Sequence, residues 1–320
     1  MSVQPAFDRS VAAGGYAWWY LDAFSDTDPS CGLAIIGFVG SVFSPYYAWA
    51  RHRGACDPLD HCALNVAIYG PRRHLWTMTE RPRGAVRRAA DALQIGRSAM
   101  HCSGDKVFVD FDEITAPWPT RLRGRVAVEP EATPTRQFAL DAHARHHWWP
   151  IAPRVRVRVD LQQPDWHWRG TGYFDCNWGD EPLEAGFRHW EWSRAHLDDG
   201  ATAIAYQAAS RDAGHPAATL SLQIDRKGRI DACEPTPGIA LKRSAWGLSR
   251  RAHGDVEGGA RLLRSLEDGP FYARSLVGTR VLGHDAVAVH ESLSLDRFAA
   301  TWVRCLLPFR MPRRRQPQPR

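Results

Sequence analysis

His146-His147-Trp148-Trp149-Pro150, the alternating run Arg154-Val155-Arg156-Val157-Arg158-Val159-Asp160-Leu161, and Trp166-His167-Trp168-Arg169-Gly170-Thr171-Gly172-Tyr173-Phe174-Asp175-Cys176-Asn177-Trp178-Gly179-Asp180-Glu181-Pro182 together set the fold. The middle run puts arginine on one face and aliphatic side chains on the other, the period of a strand with one buried face. Half of the chain's 14 tryptophans lie between His146 and Trp192. A tryptophan ring must be buried or face a ligand, and its N–H wants a partner. A carboxylate set among such rings loses hydration, which favours its neutral form and raises its pKa.

Outward from this stretch, strand patterns dominate. Lys106 to Phe111 alternates. Arg194 to Leu197 and Ala201 to Tyr206 flank the turn Asp198-Asp199-Gly200, and Thr219 to Ile224 and Arg229 to Cys233 flank Asp225-Arg226-Lys227-Gly228. Arg274 to Val281 and Ala286 to Ser292 are joined by Leu282-Gly283-His284-Asp285. Helical spacing is confined to Ala85 to Leu93 and Gly258 to Leu266. Many short strands with Asp-Gly and Lys-Gly turns predict an all-β sandwich or barrel.

The 320 residues, 44% hydrophobic and 24% charged, are enough for two ordinary domains with real cores. Pro150, Pro153 and Pro164 flank the arginine strand and place a boundary there, giving domains 1–155 and 156–308. A proline- and arginine-rich tail, 309–320, is predicted to be disordered. Net charge is +6. Arg121, Arg123 and Arg125, like Arg154, Arg156 and Arg158, share one strand face each. The plain reading is a solvated outer face. The absence of any nucleic-acid motif puts attraction to an anionic membrane ahead of nucleic-acid binding as the second reading. Seven widely spaced cysteines with no CxxC pair predict reduced thiols and a cytoplasmic setting. No secretory signal is evident, and the best apolar stretch, Gly32 to Phe43, is too short to span a bilayer, so a soluble or peripheral protein is expected.

On a strand, Tyr173, Asp175 and Asn177 face one way while Phe174 and Cys176 face the other, which sets a phenol beside a carboxyl. The alternative is a turn that Asp175 caps. His146 and Trp148 share a face in the same manner, so a histidine that orients water sits beside a ring that stabilises positive charge. His143, His146 and His147 lack the Cys or carboxylate spacing of a zinc site, and no metal is expected. Dinucleotide, phosphate-loop and nucleophile-elbow motifs are missing.

These residues resemble the carotenoid 1,2-hydratase (hydroxyneurosporene synthase) family of photosynthetic bacteria. The resemblance runs from about Gly14 to Pro308. It is carried by Gly14-Gly15-Tyr16-Ala17-Trp18-Trp19-Tyr20-Leu21-Asp22-Ala23, Gly40-Ser41-Val42-Phe43-Ser44-Pro45-Tyr46-Tyr47-Ala48-Trp49-Ala50-Arg51, Asp112-Glu113-Ile114-Thr115-Ala116-Pro117, His146-His147-Trp148-Trp149-Pro150 and Gly172-Tyr173-Phe174-Asp175-Cys176-Asn177-Trp178-Gly179. It implies two lipocalin-like antiparallel β-barrel domains with few short helices. It also implies cofactor-free addition of water across the terminal C1=C2 bond of an acyclic carotenoid such as neurosporene or lycopene. The catalytic His, Trp, Tyr and Asp fall on His146, Trp148, Tyr173 and Asp175, with Trp149, Trp168 and Trp178 expected as the substrate-binding wall. Such a substrate implies a cytoplasmic protein in peripheral contact with the inner or intracytoplasmic membrane. Two other readings remain at this stage. One is a non-catalytic lipocalin-like carrier of a hydrophobic ligand; the other is a Trp-lined carbohydrate-active β-protein, which needs a second carboxylate that no residue clearly supplies.

Overall fold

The computed structural model describes residues 4–71, 73–215, 218–236, 238–255 and 259–314. It divides by contacts into two units: residues 1–137, 148–182 and 305–320, and residues 138–147 and 183–304.

In the first unit a large sheet runs in the hydrogen-bonded order His74–Met78, Ala63–Tyr69, Gly32–Val39, Tyr16–Ser25, Asp165–Gly179, His146–Gln163, Arg121–Pro130, Lys106–Ile114, Ser98–Ser103, Ala92–Ile95, Val86–Ala89. The alternation read in the sequence explains its inner face. Along Arg121–Pro130, Leu122, Val126 and Val128 are buried while Arg121, Arg123 and Arg125 are exposed. Each such aliphatic side chain removed from water stabilises the fold by roughly 1.5–3 kcal/mol. Trp19, Leu33, Val66, Met100, Val126 and Phe174 come from six different strands yet belong to one apolar core. The sheet must therefore curl on itself. Gly37 shows the closure: a Cβ there would lie 2.8 Å from the Met100 sulfur, contributed by a strand on the far side of the sheet.

The second unit is built on a seven-stranded sheet in the order Ile230–Ala232, Thr219–Ile224, Thr202–Ser210, Phe187–His196, His284–Ser294, Tyr272–Val281, Arg261–Asp268. A separate hairpin pairs Gly238–Leu241 with Arg250–His253. Its small apolar core gathers Ala195, Leu197, Ala203 and Ala288. The α-helices are few and short, the longest being Pro45–His52. That helix starts where it should, with Pro45 in its first turn and the Ser44 hydroxyl accepting the Tyr47 N–H at 3.1 Å. Two curled antiparallel sheets with little helix make the all-β, lipocalin-like architecture.

Several expectations are corrected. Ala85 to Leu93 is not a helix: Val86–Ala89 and Ala92–Ile95 form a hairpin, with Leu93 and Ile95 turned into the core. Strand pairing outweighs the helical spacing of its alanines. Gly258 to Leu266 is likewise no helix, since Arg261–Asp268 is a strand, and Gly258 itself lies outside the described residues. The boundary expected near residue 155 falls within the continuous strand His146–Gln163. In the tail, 309–314 is docked rather than loose. Pro312 accepts the Glu80 N–H, and the Arg313 guanidinium pairs with the Glu80 carboxylate; 315–320 lies outside the described residues.

The arginine faces are internally paired. Arg121 holds Asp112 with two hydrogen bonds of 2.8 and 2.7 Å, Arg125 holds Asp110 at 2.6 and 3.0 Å, and Arg156 pairs with Asp26. These guanidinium groups keep Asp112 and Asp26 below the usual carboxylate range. Much of the positive stripe is therefore neutralised on the sheet itself.

Candidate active site

Asp165–Gly179 is a strand through its whole motif, which excludes the turn reading of Asp175. Its two faces divide as the sequence predicts. Phe174 and Cys176 enter the aliphatic core, while Tyr173, Asp175 and Asn177 point the other way. That second face is also covered, since Tyr173 is 0% and Asp175 4% exposed.

Two donors converge on one oxygen of Asp175. The Trp148 indole N–H donates to Oδ2 at 2.9 Å and the Tyr173 hydroxyl donates to the same atom at 2.8 Å. Tyr173 reaches it because residues i and i+2 of a strand share a face, and Trp148 reaches it from the neighbouring strand. Oδ2 is thus held as an acceptor, and an acidic proton on this carboxyl would sit on Oδ1.

Pairing with Tyr16–Ser25 adds a second carboxyl to this face. The antiparallel register sets Tyr20 opposite Asp175 and Asp22 opposite Tyr173. The Tyr20 hydroxyl donates to Asp22 Oδ2 at 2.7 Å, the Tyr20 and Tyr173 rings lie 6.2 Å apart, and Asp22 is 1% exposed. Two Tyr-x-Asp units, Tyr20-Leu21-Asp22 and Tyr173-Phe174-Asp175, therefore lie side by side. In the sequence alone Asp175 has no clear carboxylate partner. The repeated Tyr-x-Asp pattern was the available signal, but only strand register brings the two copies together. Further along the same face Trp18 lies opposite Asn177, Tyr16 stacks on Trp18 at 5.0 Å, and Phe38 follows at 6.2 Å.

His146 is fully buried, with its ring 4.7 Å from that of Phe187 and its backbone N–H donating to Asp141 Oδ1 at 2.8 Å. The three tryptophans expected as a substrate wall are placed elsewhere. Trp168 belongs to the aliphatic core, and Trp149 and Trp178 pack against it. Trp149 also donates to the Pro134 carbonyl at 2.7 Å, and the Arg9 guanidinium covers the Trp178 ring at 3.6 Å. Residues 168 and 178 differ from 175 by odd steps, so strand parity sends them to the opposite face.

Two buried carboxyls away from Asp175 are pushed upward. Burial raises Glu113, which the nearby Arg81 only partly offsets, and burial pushes Glu191 in the second unit up to about 8. Glu191 lines a cavity of about 300 Å³ with His189, Gln207, Arg251 and His253. A larger cavity of about 740 Å³ lies beside Arg81, Arg97, Asp112 and Arg121. Neither contains the Tyr–Asp units, and both are lined by several charged side chains, which suit a hydrocarbon ligand poorly. Of the histidines considered for metal, His143 meets Asp212 and His215 in an exposed group that includes neither His146 nor His147.

The chain matches the family model described as carotenoid hydratase CrtC over residues 35–319. It is 51% identical to the acyclic carotenoid 1,2-hydratase of Thiocapsa roseopersicina over 97% of this chain and 76% of that protein. Against the enzyme of the same name from Rubrivivax gelatinosus, identity is 44% with the same coverage. Among solved structures, a putative AttH from Nitrosomonas europaea superposes with a TM-score of 0.61 at 16% identity, covering 92% of this chain and 97% of that one, a likeness of fold. With the family model spanning most of its length and relatives of 44–51% identity aligned over 97% of it, the chain belongs to the carotenoid hydratase family.

Proposed function

We propose that this chain adds water across the terminal C1=C2 double bond of an acyclic carotenoid, without a cofactor, with Asp175 as the acid. The observation that carries the assignment is the convergence of the Trp148 and Tyr173 donors on Asp175 Oδ2 within a buried face. An unactivated trisubstituted alkene is a poor base, so protonating it requires a strong, positioned proton donor in a dry site. With Oδ2 fixed by two donors, the acidic proton is left to Oδ1. Transfer to C2 breaks the O–H bond, forms C2–H from the π pair and leaves positive charge on the tertiary carbon C1. Aromatic faces stabilise such charge by about 0.5–2 kcal/mol each, and Trp148 and Tyr173 are next to the acid. Water then attacks C1. His146 is proposed to orient that water. The aromatic run Tyr16, Trp18 and Phe38 continues the face beyond Asn177, and replaces Trp149, Trp168 and Trp178 as the proposed polyene contact.

A membrane-resident substrate requires the protein to meet the bilayer. No helix among the described residues is long and apolar enough to cross one. Supporting a peripheral contact, Trp118 is 82% exposed, and Trp246 and Trp302, about half exposed, stack on each other at 6.4 Å. Tryptophan favours the membrane–water interface. Incubating the purified protein with neurosporene or lycopene in H₂¹⁸O, with nothing else added, should yield hydroxylated carotenoid carrying one heavy oxygen per modified end. Recovery of unchanged carotenoid bound to the protein would refute hydration and support a carrier.

A further inference from the structure

We infer that Asp22 is the base of this site, taking the proton that the attacking water must lose. The inference rests on the hydration reading and completes it, since attack of water on C1 produces an oxonium whose proton needs an acceptor, and a second carboxylate on this face can take it in place of the ionised Asp175.

Four observations select Asp22. It is buried on the same sheet face as Asp175, as shown by the pairing of Tyr20 with Asp175 and of Asp22 with Tyr173. Its carboxylate accepts from the Tyr20 hydroxyl as Asp175 accepts from Tyr173, so both carboxyls are aimed by a phenol two residues before them. The two stand on the diagonal of the cross-strand quartet, where residues are about 7–8 Å apart and their Cβ atoms somewhat closer. Inverting glycosidases set the carboxyls of an acid and a water-activating base roughly 6.5–9.5 Å apart to leave room for the water, a separation of the same order as this diagonal. Finally, the two strands are clamped at this point: a Cβ at Gly172 would lie 2.1 Å from the Asp22 carbonyl oxygen, so only glycine permits the approach that aligns the pairs.

The cycle balances. Asp175 gives its proton to C2, and the alkene π pair becomes the C2–H bond. A water lone pair forms C1–O, and one water O–H bond breaks with its proton passing to Asp22. Asp22 ends protonated and Asp175 ionised. Return of one proton from Asp22 to Asp175, through the neighbouring tyrosine hydroxyls or solvent, restores the starting state with the elements of one water added.

The test separates protonation from water attack. In D₂O, reversible protonation by Asp175 exchanges deuterium into C2 of recovered carotenoid even when no alcohol forms. Asp22→Asn should lower hydration by about 100-fold or more, the usual scale for a lost general base, while exchange at C2 stays within about threefold of the wild type. Asp22→Glu should recover part of the loss. Tyr20→Phe, which keeps the carboxylate and loses only its donor, should lower hydration with exchange intact and serves if Asp22→Asn fails to fold. Asp22→Asn that hydrates at nearly the wild-type rate overturns the inference. So does a folded Asp22→Asn that loses exchange together with hydration, because Asp22 would then serve protonation or structure. Asp175→Asn should abolish both readouts; if it keeps both, the acid assignment falls separately from that of Asp22.

Discussion

Trp148 and Tyr173 each spend a hydrogen bond on the same oxygen of Asp175. Trp148→Phe keeps an aromatic face but removes one donor, leaving a buried carboxyl short of a partner at a cost of about 1–3 kcal/mol. The expected result is a lower melting temperature and a fall in turnover of about tenfold, equivalent to about 1.4 kcal/mol of barrier; equal stability and turnover would show that the bond is idle. Asp175, Tyr173 and Trp148 were legible in the sequence because i, i+2 spacing and aromatic crowding are local signals. Asp22 was not, because its place beside Tyr173 is set by a register between strands some 150 positions apart in the chain. Parity within the strand Asp165–Gly179 would have excluded Trp168 and Trp178 from the Asp175 face. Their aromatic character alone suggested otherwise.

At the scale of elements, the sheet of the second unit carries two buried groups with opposed titrations. Burial pushes Glu191 up to about 8 and His290 down to about 3. Glu191 binds its proton more tightly folded than unfolded, so its contribution to stability is full below about pH 4.5 and is lost as pH rises through 8. His290 stays neutral when folded, so its contribution is full above about 6.5 and is lost as pH falls toward 3. Between about 4.5 and 6.5 the two slopes oppose each other, and above that window the Glu191 slope remains. Glu191→Gln should therefore stabilise the fold more at pH 9 than at pH 5, by an amount on the order of a few kcal/mol, seen as a larger rise in melting temperature at pH 9. An equal change at both pH values would contradict the assignment. Because Glu191 is not among the residues proposed for proton transfer, the same variant should hydrate at close to the wild-type rate, which distinguishes a perturbed carboxyl from the reacting one. In the first unit, Gly172→Ala should part the Tyr16–Ser25 and Asp165–Gly179 strands, with loss of both stability and turnover, since the added methyl meets backbone rather than a side chain that can move.

For the molecule as a whole, period-two alternation and turn chemistry disclosed the β architecture. The two misread helices are edge hairpin and strand segments whose small or aliphatic residues fit either period, and pairing decided between them. Charge was also misleading when counted without geometry, because Arg121, Arg125 and Arg156 are matched by Asp112, Asp110 and Asp26. Vesicle binding should accordingly depend more on exposed tryptophan than on salt: Trp118→Ser or Trp302→Ser should weaken co-sedimentation with vesicles, whereas raising ionic strength should change it little. The reverse pattern would restore the arginine faces as the membrane contact. The seven cysteines are all free thiols, and burial pushes Cys62 up to about 12, so the melting temperature should be the same with and without reductant.

The most direct test of the account is the rate of alcohol formation from neurosporene by Asp175→Asn, measured beside carotenoid binding by the same protein. A positioned general acid contributes about 10²–10⁴-fold. Turnover should fall by that factor while the polyene is still bound and the fold retained, because asparagine preserves shape and keeps an acceptor for the Trp148 and Tyr173 donors. Turnover within about tenfold of the wild type, outside the range expected for loss of a general acid, would contradict the central claim and move the acid to another residue.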